Sequence, residues 1–139
     1  MTRVDFHFNT ADKLAYACRL VRKVYRAGHQ TVVWAEDEAL LKTFDKQLWS
    51  FSQRDFVPHV MHTDPLAPQT PVVLACGSLD TDHHGVIVNL GSKPPTVFGR
   101  FERLIELVAQ QEDDRAAARE RWRFYHDRGY EMTRHDLAG

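Results

Sequence analysis

The sequence predicts an α/β fold, a three-layer Rossmann-like sandwich with a mostly parallel sheet and helices on both faces. Two observations predict it. Short apolar runs such as 31–35 (TVVWA), 72–76 (VVLAC) and 86–90 (VIVNL) do not alternate strictly with polar residues. Strands of that kind belong to sheets covered on both faces. The first of these runs are separated by segments whose apolar residues recur at helical spacing, as βαβ crossovers require. With no repeat, low-complexity tract or composition break, residues 1–139 read as a single domain.

Arg3 to Phe8 alternates and is rich in Val and Phe, so it reads as the first strand. Thr10 is a candidate N-cap for the helix that follows. In that helix Leu14, Ala17, Cys18, Val21, Val24 and Tyr25 share one face, and Gly28 ends it as a C′ glycine does. Thr31 to Ala35 is the second strand. Glu36 to Trp49 carries Leu40, Leu41, Phe44 and Leu48 at helical spacing, with acids in its first turn. Ser50 to Pro71 holds four prolines and reads as a loop with a short extended piece. Val72–Cys76 and Val86–Leu90 are two further strands joined by a polar turn. After Pro94-Pro95, Phe98, Phe101, Leu104, Ile105 and Val108 fit a third helix. A last helix runs from Arg115 to Gly129.

Composition narrows the function. At 139 residues the chain can bury roughly two-thirds of its unfolded surface without a disulfide or metal. Its net charge of −1 argues against a bulk electrostatic grip on DNA or an anionic membrane. It contains no membrane span and no signal-peptide core, and its two cysteines fit a reduced cytoplasm. Cys18 and Cys76 read as core residues. The first strand–helix turn, His7 to Asp12, contains no glycine, so neither dinucleotide nor Walker phosphate loop can be built there. The histidines lack the spacing of a helical zinc site; Asp80, Asp82, His83 and His84 offer at most a weak cation site. No nucleophile elbow is present, and no catalytic residue, cofactor or metal site is expected.

The last helix carries the strongest local signal. Arg115, Arg119 and Arg123 recur every four residues, which places them on one helix face beside Trp122 and His126. Between Arg115 and Tyr130 five arginines face only Glu120 and Asp127, a local excess of three positive charges. Guanidinium groups grip carboxylates and phosphates bidentately and stack on flat rings. Such a strip suits an acidic peptide with an aromatic end, or single-stranded nucleic acid. A solvated helix face is the plain alternative.

Four segments together resemble the chi subunit of the bacterial DNA polymerase III holoenzyme. They are Phe56-Val57-Pro58-His59 after Trp49; 86–90 (VIVNL) before the double proline; 101–108 (FERLIELV); and 118–125 (ARERWRFY) leading to Gly129-Tyr130. The resemblance covers nearly the whole chain. It implies a non-catalytic adaptor of the clamp-loader assembly in the cytoplasm, touching DNA only indirectly. One surface would bind the psi subunit, or an accessory helicase in its place. Another would bind the acidic C-terminal tail of single-stranded-DNA-binding protein, which ends in phenylalanine. By resemblance the tail-binding residues are Arg115, Arg119, Trp122, Arg123 and Tyr125, and the psi- or helicase-facing residues are Phe56 and Trp49. Trp122 stands where the family commonly has tyrosine, and Arg123 where it commonly has lysine; ring and cation are kept. Direct single-stranded nucleic-acid binding and a degenerate nucleotide-binding enzyme are the rival readings.

Overall fold

The computed structural model describes residues 1–51, 56–77, 79 and 81–138. Seven strands form one sheet in which every pairing is parallel. They are β1 (Arg3–Thr10), β2 (Thr31–Ala35), β3 (His59–Met61), β4 (Val72–Cys76), β5 (Val86–Asn89), β6 (Arg103–Ala109) and β7 (Glu131–Asp136). Their order is β3-β4-β2-β5-β6-β1-β7. Although β4 and β5 follow one another in sequence, β2 lies between them.

Three helices cover the sheet: α1 (Lys13–Arg26), α2 (Glu38–Ser50) and α3 (Glu112–Asp127). The strands alternate their side chains between two cores. Val33, Ala35, Leu74, Val88, Ile105 and Leu107 pack against Ala17, Cys18 and Val21 of α1 and Leu41, Phe44 and Leu48 of α2. Val32, Trp34, Ile87, Leu104 and Val108 face Ala118 and Tyr125 of α3, with Phe98 and Phe101 completing that side. Cys18 is fully buried, and burial pushes its thiol up to about 11. Such a group is a small hydrophobe at neutral pH.

Several expectations change. The predicted third helix, Phe98 to Val108, is instead a 3₁₀ turn (Phe98–Arg100) followed by β6. Its apolar residues fit a helical period by coincidence. Leu104 and Ile105 are both fully buried, on opposite faces of the sheet. A strand between two others buries both faces and so loses its alternation. The N-cap of α1 is Asp12, whose Oδ1 accepts from the Ala15 N–H at 3.1 Å, rather than Thr10. β7 has no counterpart among the predicted elements. Asp80, one member of the weak cation site, lies outside the described residues; among the described residues no group of three acidic, His or Cys side chains could hold a metal. No described helix is long and apolar enough to cross a membrane.

Gly91 holds a close approach. A Cβ there would lie 1.9 Å from Glu36 Oε2. That carboxylate instead accepts from the Ser92 N–H at 2.8 Å and its hydroxyl at 2.6 Å, tying the end of β2 to the loop after β5.

Candidate functional site: an arginine-rimmed cleft on the last helix

The crossover from β1 passes through α1 on one face toward β2, and the crossover from β6 passes through α3 on the other face toward β7. Neighbouring strands β6 and β1 therefore send their chains in opposite directions. That is the topological switch point, where α/β sheets form a crevice at the carboxyl ends of their strands. Here the crevice is stitched by the chain itself. Lys13 Nζ meets Asp114 at 3.2 Å, the Ala109 N–H donates to Asp114 Oδ2 at 2.7 Å, and Gln110 Nε2 donates to the Asn9 carbonyl at 3.3 Å. Asn9 adopts a left-handed φ of 62°, which asparagine tolerates better than most residues.

Beside this point, between α3 and strands β1 and β7, lies an open cleft of about 450 Å³. Phe6, Phe8, Val108, Ala118 and Trp122 supply its apolar lining. Arg115, Arg119, Arg123 and Arg134 stand around it with Asn9. The volume is that of a small-ligand site. Trp122 is half-buried, edge-on to Phe6 with ring centroids 5.2 Å apart. Arg134 Cζ lies 5.6 Å from the centroid of the indole, within cation–π range. The helix partly neutralises its own rim: Arg119 Nη2 contacts Glu112 Oε1 at 2.6 Å, and Arg123 Nη2 lies 3.3 Å from Glu120 Oε1. The Arg119 guanidinium holds the Glu112 carboxyl below its usual range.

Helical geometry sorts the arginine-rich segment. Arg115, Arg119, Trp122 and Arg123 meet at the cleft, as their spacing predicts. Tyr125, grouped with them by resemblance, does not. It is fully buried, its hydroxyl donating to Glu106 Oε2 at 2.5 Å. Burial, then the Glu106 charge, pushes the phenol far above its ordinary range. Arg121 likewise leaves the surface charge count. It is 1% exposed, its Nε donating to Glu106 Oε1 at 2.9 Å and its Nη1 to the Ser92 carbonyl at 3.0 Å. Asn89 Nδ2 completes the shell of Glu106 at 3.0 and 3.1 Å. This buried network pins α3 to the sheet and thereby aims the rim arginines. A sequence signal existed: an acid within the apolar run 104–108 and an arginine on the inward stripe Ala118-Arg121-Tyr125. Arg134 was missed because β7 was missed.

Trp49 and Phe56 form a second feature at the opposite edge of the sheet. Both are exposed, at 56% and 61%, with ring centroids 5.2 Å apart. Trp49 also lies 4.7 Å from the ring of His59, whose Nδ1 meets the Val57 carbonyl at 2.7 Å and whose Nε2 lies 3.0 Å from Asp45. Phe56 is thus no core residue. Two adjacent exposed aromatics form the kind of apolar patch that marks interaction surfaces.

The sequence matches the family model described as DNA polymerase III chi subunit, HolC, over residues 1–133. It is 37% identical to the DNA polymerase III subunit chi of Pseudomonas aeruginosa, covering 99% of this chain and 98% of that one. It is 24% identical to the corresponding subunit of Haemophilus influenzae, covering 88% and 85% of the two chains. For that of Escherichia coli the identity is 22%, with 84% and 80% covered. The chain belongs to the DNA polymerase III chi subunit family.

Proposed function

We propose that this chain is a non-catalytic adaptor that links the clamp-loader assembly of DNA polymerase III to single-stranded-DNA-binding protein. The observation that carries the reading is the cleft itself: an apolar lining with four arginines around it. A disordered acidic tail ending in phenylalanine matches both halves. The terminal ring enters against Trp122, Phe6 and Phe8. The terminal carboxylate and the acidic side chains meet Arg115, Arg119, Arg123 and Arg134 in charge-assisted hydrogen bonds. Ordering a flexible tail costs free energy, so the affinity is modest.

The psi subunit, or an accessory helicase, is assigned to the Trp49–Phe56 patch. That patch lies beside β3, six strand spacings from β7, or roughly 30 Å across the sheet. An adaptor needs such separation, since both partners must be held at once.

Direct single-strand binding is disfavoured by the position of Arg134. A base stacking on Trp122 from that side has to displace the guanidinium already there. A nucleotide-binding role is disfavoured by the glycine-free first turn and the Lys13–Asp114 stitch.

The test is a calorimetric titration with an acidic, Phe-ended peptide against an oligonucleotide of equal charge. Arg119→Ala and Arg123→Ala should each weaken the peptide by about one to two orders of magnitude, as expected for charge-assisted contacts of roughly 1.5–3 kcal/mol. Salt should weaken it further. Wild-type affinity in the double variant, or undiminished binding of a peptide lacking its last residue, defeats the assignment.

A further inference from the structure

β7 forms one edge of the sheet, and among the described residues nothing pairs with its outer side. The other edge strand, β3, spans three residues, whereas β7 spans six. Backbone groups along a strand alternate between its two neighbours. The Leu137 N–H donates to the Phe8 carbonyl at 3.0 Å, so residues in phase with Leu137, namely Glu131, Thr133 and His135, turn their backbone groups toward β1. By the same alternation Met132, Arg134 and Asp136 turn theirs outward. Arg134 therefore faces two ways. Its side chain borders the cleft, and its backbone lies on the open edge.

The positive charge around this edge lies on the α3 face of the sheet. Arg134 and Arg123 lie on the α3 side. On the α1 side His135 stands opposite His7, with ring centroids 4.7 Å apart, and Glu131 stands opposite Arg3. The acids of β7, Glu131 and Asp136, are its first and last residues, and Asp136 already accepts from Asn9 Nδ2 at 2.8 Å and the Ala138 N–H at 2.9 Å. A strand added here would place alternate side chains on the α3 face, next to Arg134 and Arg123. Acidic residues at those alternate positions fit that face.

We propose that β7 is a docking edge, on which the extended acidic segment preceding the tail's last residues adds as an eighth strand while the tail's end fills the cleft. The inference rests on the tail-binding reading and extends it from a pocket to main-chain recognition. It makes affinity depend on peptide length upstream of the terminal ring. It also makes one set of alternate peptide N–H groups matter and the other set not.

The test compares two synthetic acidic peptides ending in phenylalanine, one of four residues and one of 15, on the full chain. The longer should bind about tenfold more tightly, as two or three added main-chain hydrogen bonds would supply. Backbone N-methylation at alternate upstream positions should return the long peptide to the affinity of the short one in one phase and leave it unchanged in the other. Amide exchange followed by NMR should slow at Met132, Arg134 and Asp136 with the long peptide only. If both peptides bind alike and these amides exchange as in the free protein, the added strand is refuted and the cleft assignment stands. Loss of affinity in both methylation phases also refutes it. If neither peptide binds, the tail-binding reading itself fails.

Discussion

Replacing Tyr125 by Phe separates the two roles that this residue could have. The tyrosine hydroxyl donates to the buried Glu106 carboxylate at 2.5 Å, and the ring is fully buried against Phe6, Phe98 and Phe124. Phenylalanine keeps the ring, so no cavity term arises. The loss is one hydrogen bond to a charged group, about 1.5–3 kcal/mol. Glu106 keeps Arg121 and Asn89, which prevents the larger penalty of an uncompensated buried charge. For a domain of this size, 2 kcal/mol lowers the melting temperature by roughly 5–10 °C. Urea unfolding followed by circular dichroism should show a lower midpoint with an unchanged slope. Affinity for an acidic, Phe-ended peptide should stay within about twofold of wild type, because the hydroxyl points away from the cleft into the network. An unchanged midpoint together with weakened peptide binding would refute this and return Tyr125 to the binding surface.

Three other outcomes are expected. Phe56→Ala should leave stability within about 0.5 kcal/mol, since the ring is exposed, yet weaken association with the psi subunit in a pull-down. Glu112→Gln should tighten the tail peptide, by roughly two- to fivefold at low salt, because it frees Arg119 from the helix's own carboxylate; calorimetry that finds equal or weaker binding contradicts that competition. Burial first, and then the charges of His135 and Arg103, lower the His7 pKa to about 4. The unfolded chain therefore takes up a proton before the folded one does. The contribution is present above pH 6.5 and is lost as the pH falls from 6.5 to 4. His7→Gln should flatten the stability profile in that window, read as urea midpoints at a series of pH values.

Much of the fold was legible because its signals are local. The apolar faces of α1 and α2 recur at helical spacing. The runs at 31–35, 72–76 and 86–90 are too short and too uniformly apolar for amphipathic helices. The row Arg115, Arg119, Arg123 projects to one side of α3 through the helical repeat alone, and the structure brings it to the cleft with Trp122. The family resemblance rests on motif order, which is also written along the chain.

What the tertiary structure decided depends on neighbours far away in sequence. Residues 98–108 satisfy a helical period, yet pairing with β5 and β1 makes a doubly buried strand, β6, of the stretch from Arg103 onward. Glu131 to Asp136 has no apolar rhythm of its own and is a strand because β1 offers it a hydrogen-bonding edge. Arg121 and Arg123 sit two positions apart on one helix, yet one is buried and the other exposed. The difference is Glu106, reached only when β6 lies beneath α3. The same contact turns Tyr125 inward, leaving Trp122 to line the cleft, and the pairing of β7 brings in Arg134 as the fourth rim cation. By itself the sequence determined which segments are apolar, which helix carries the charge, and which family the motifs match. Partners for buried polar groups and for open strand edges are non-local, and so only the folded chain decided them.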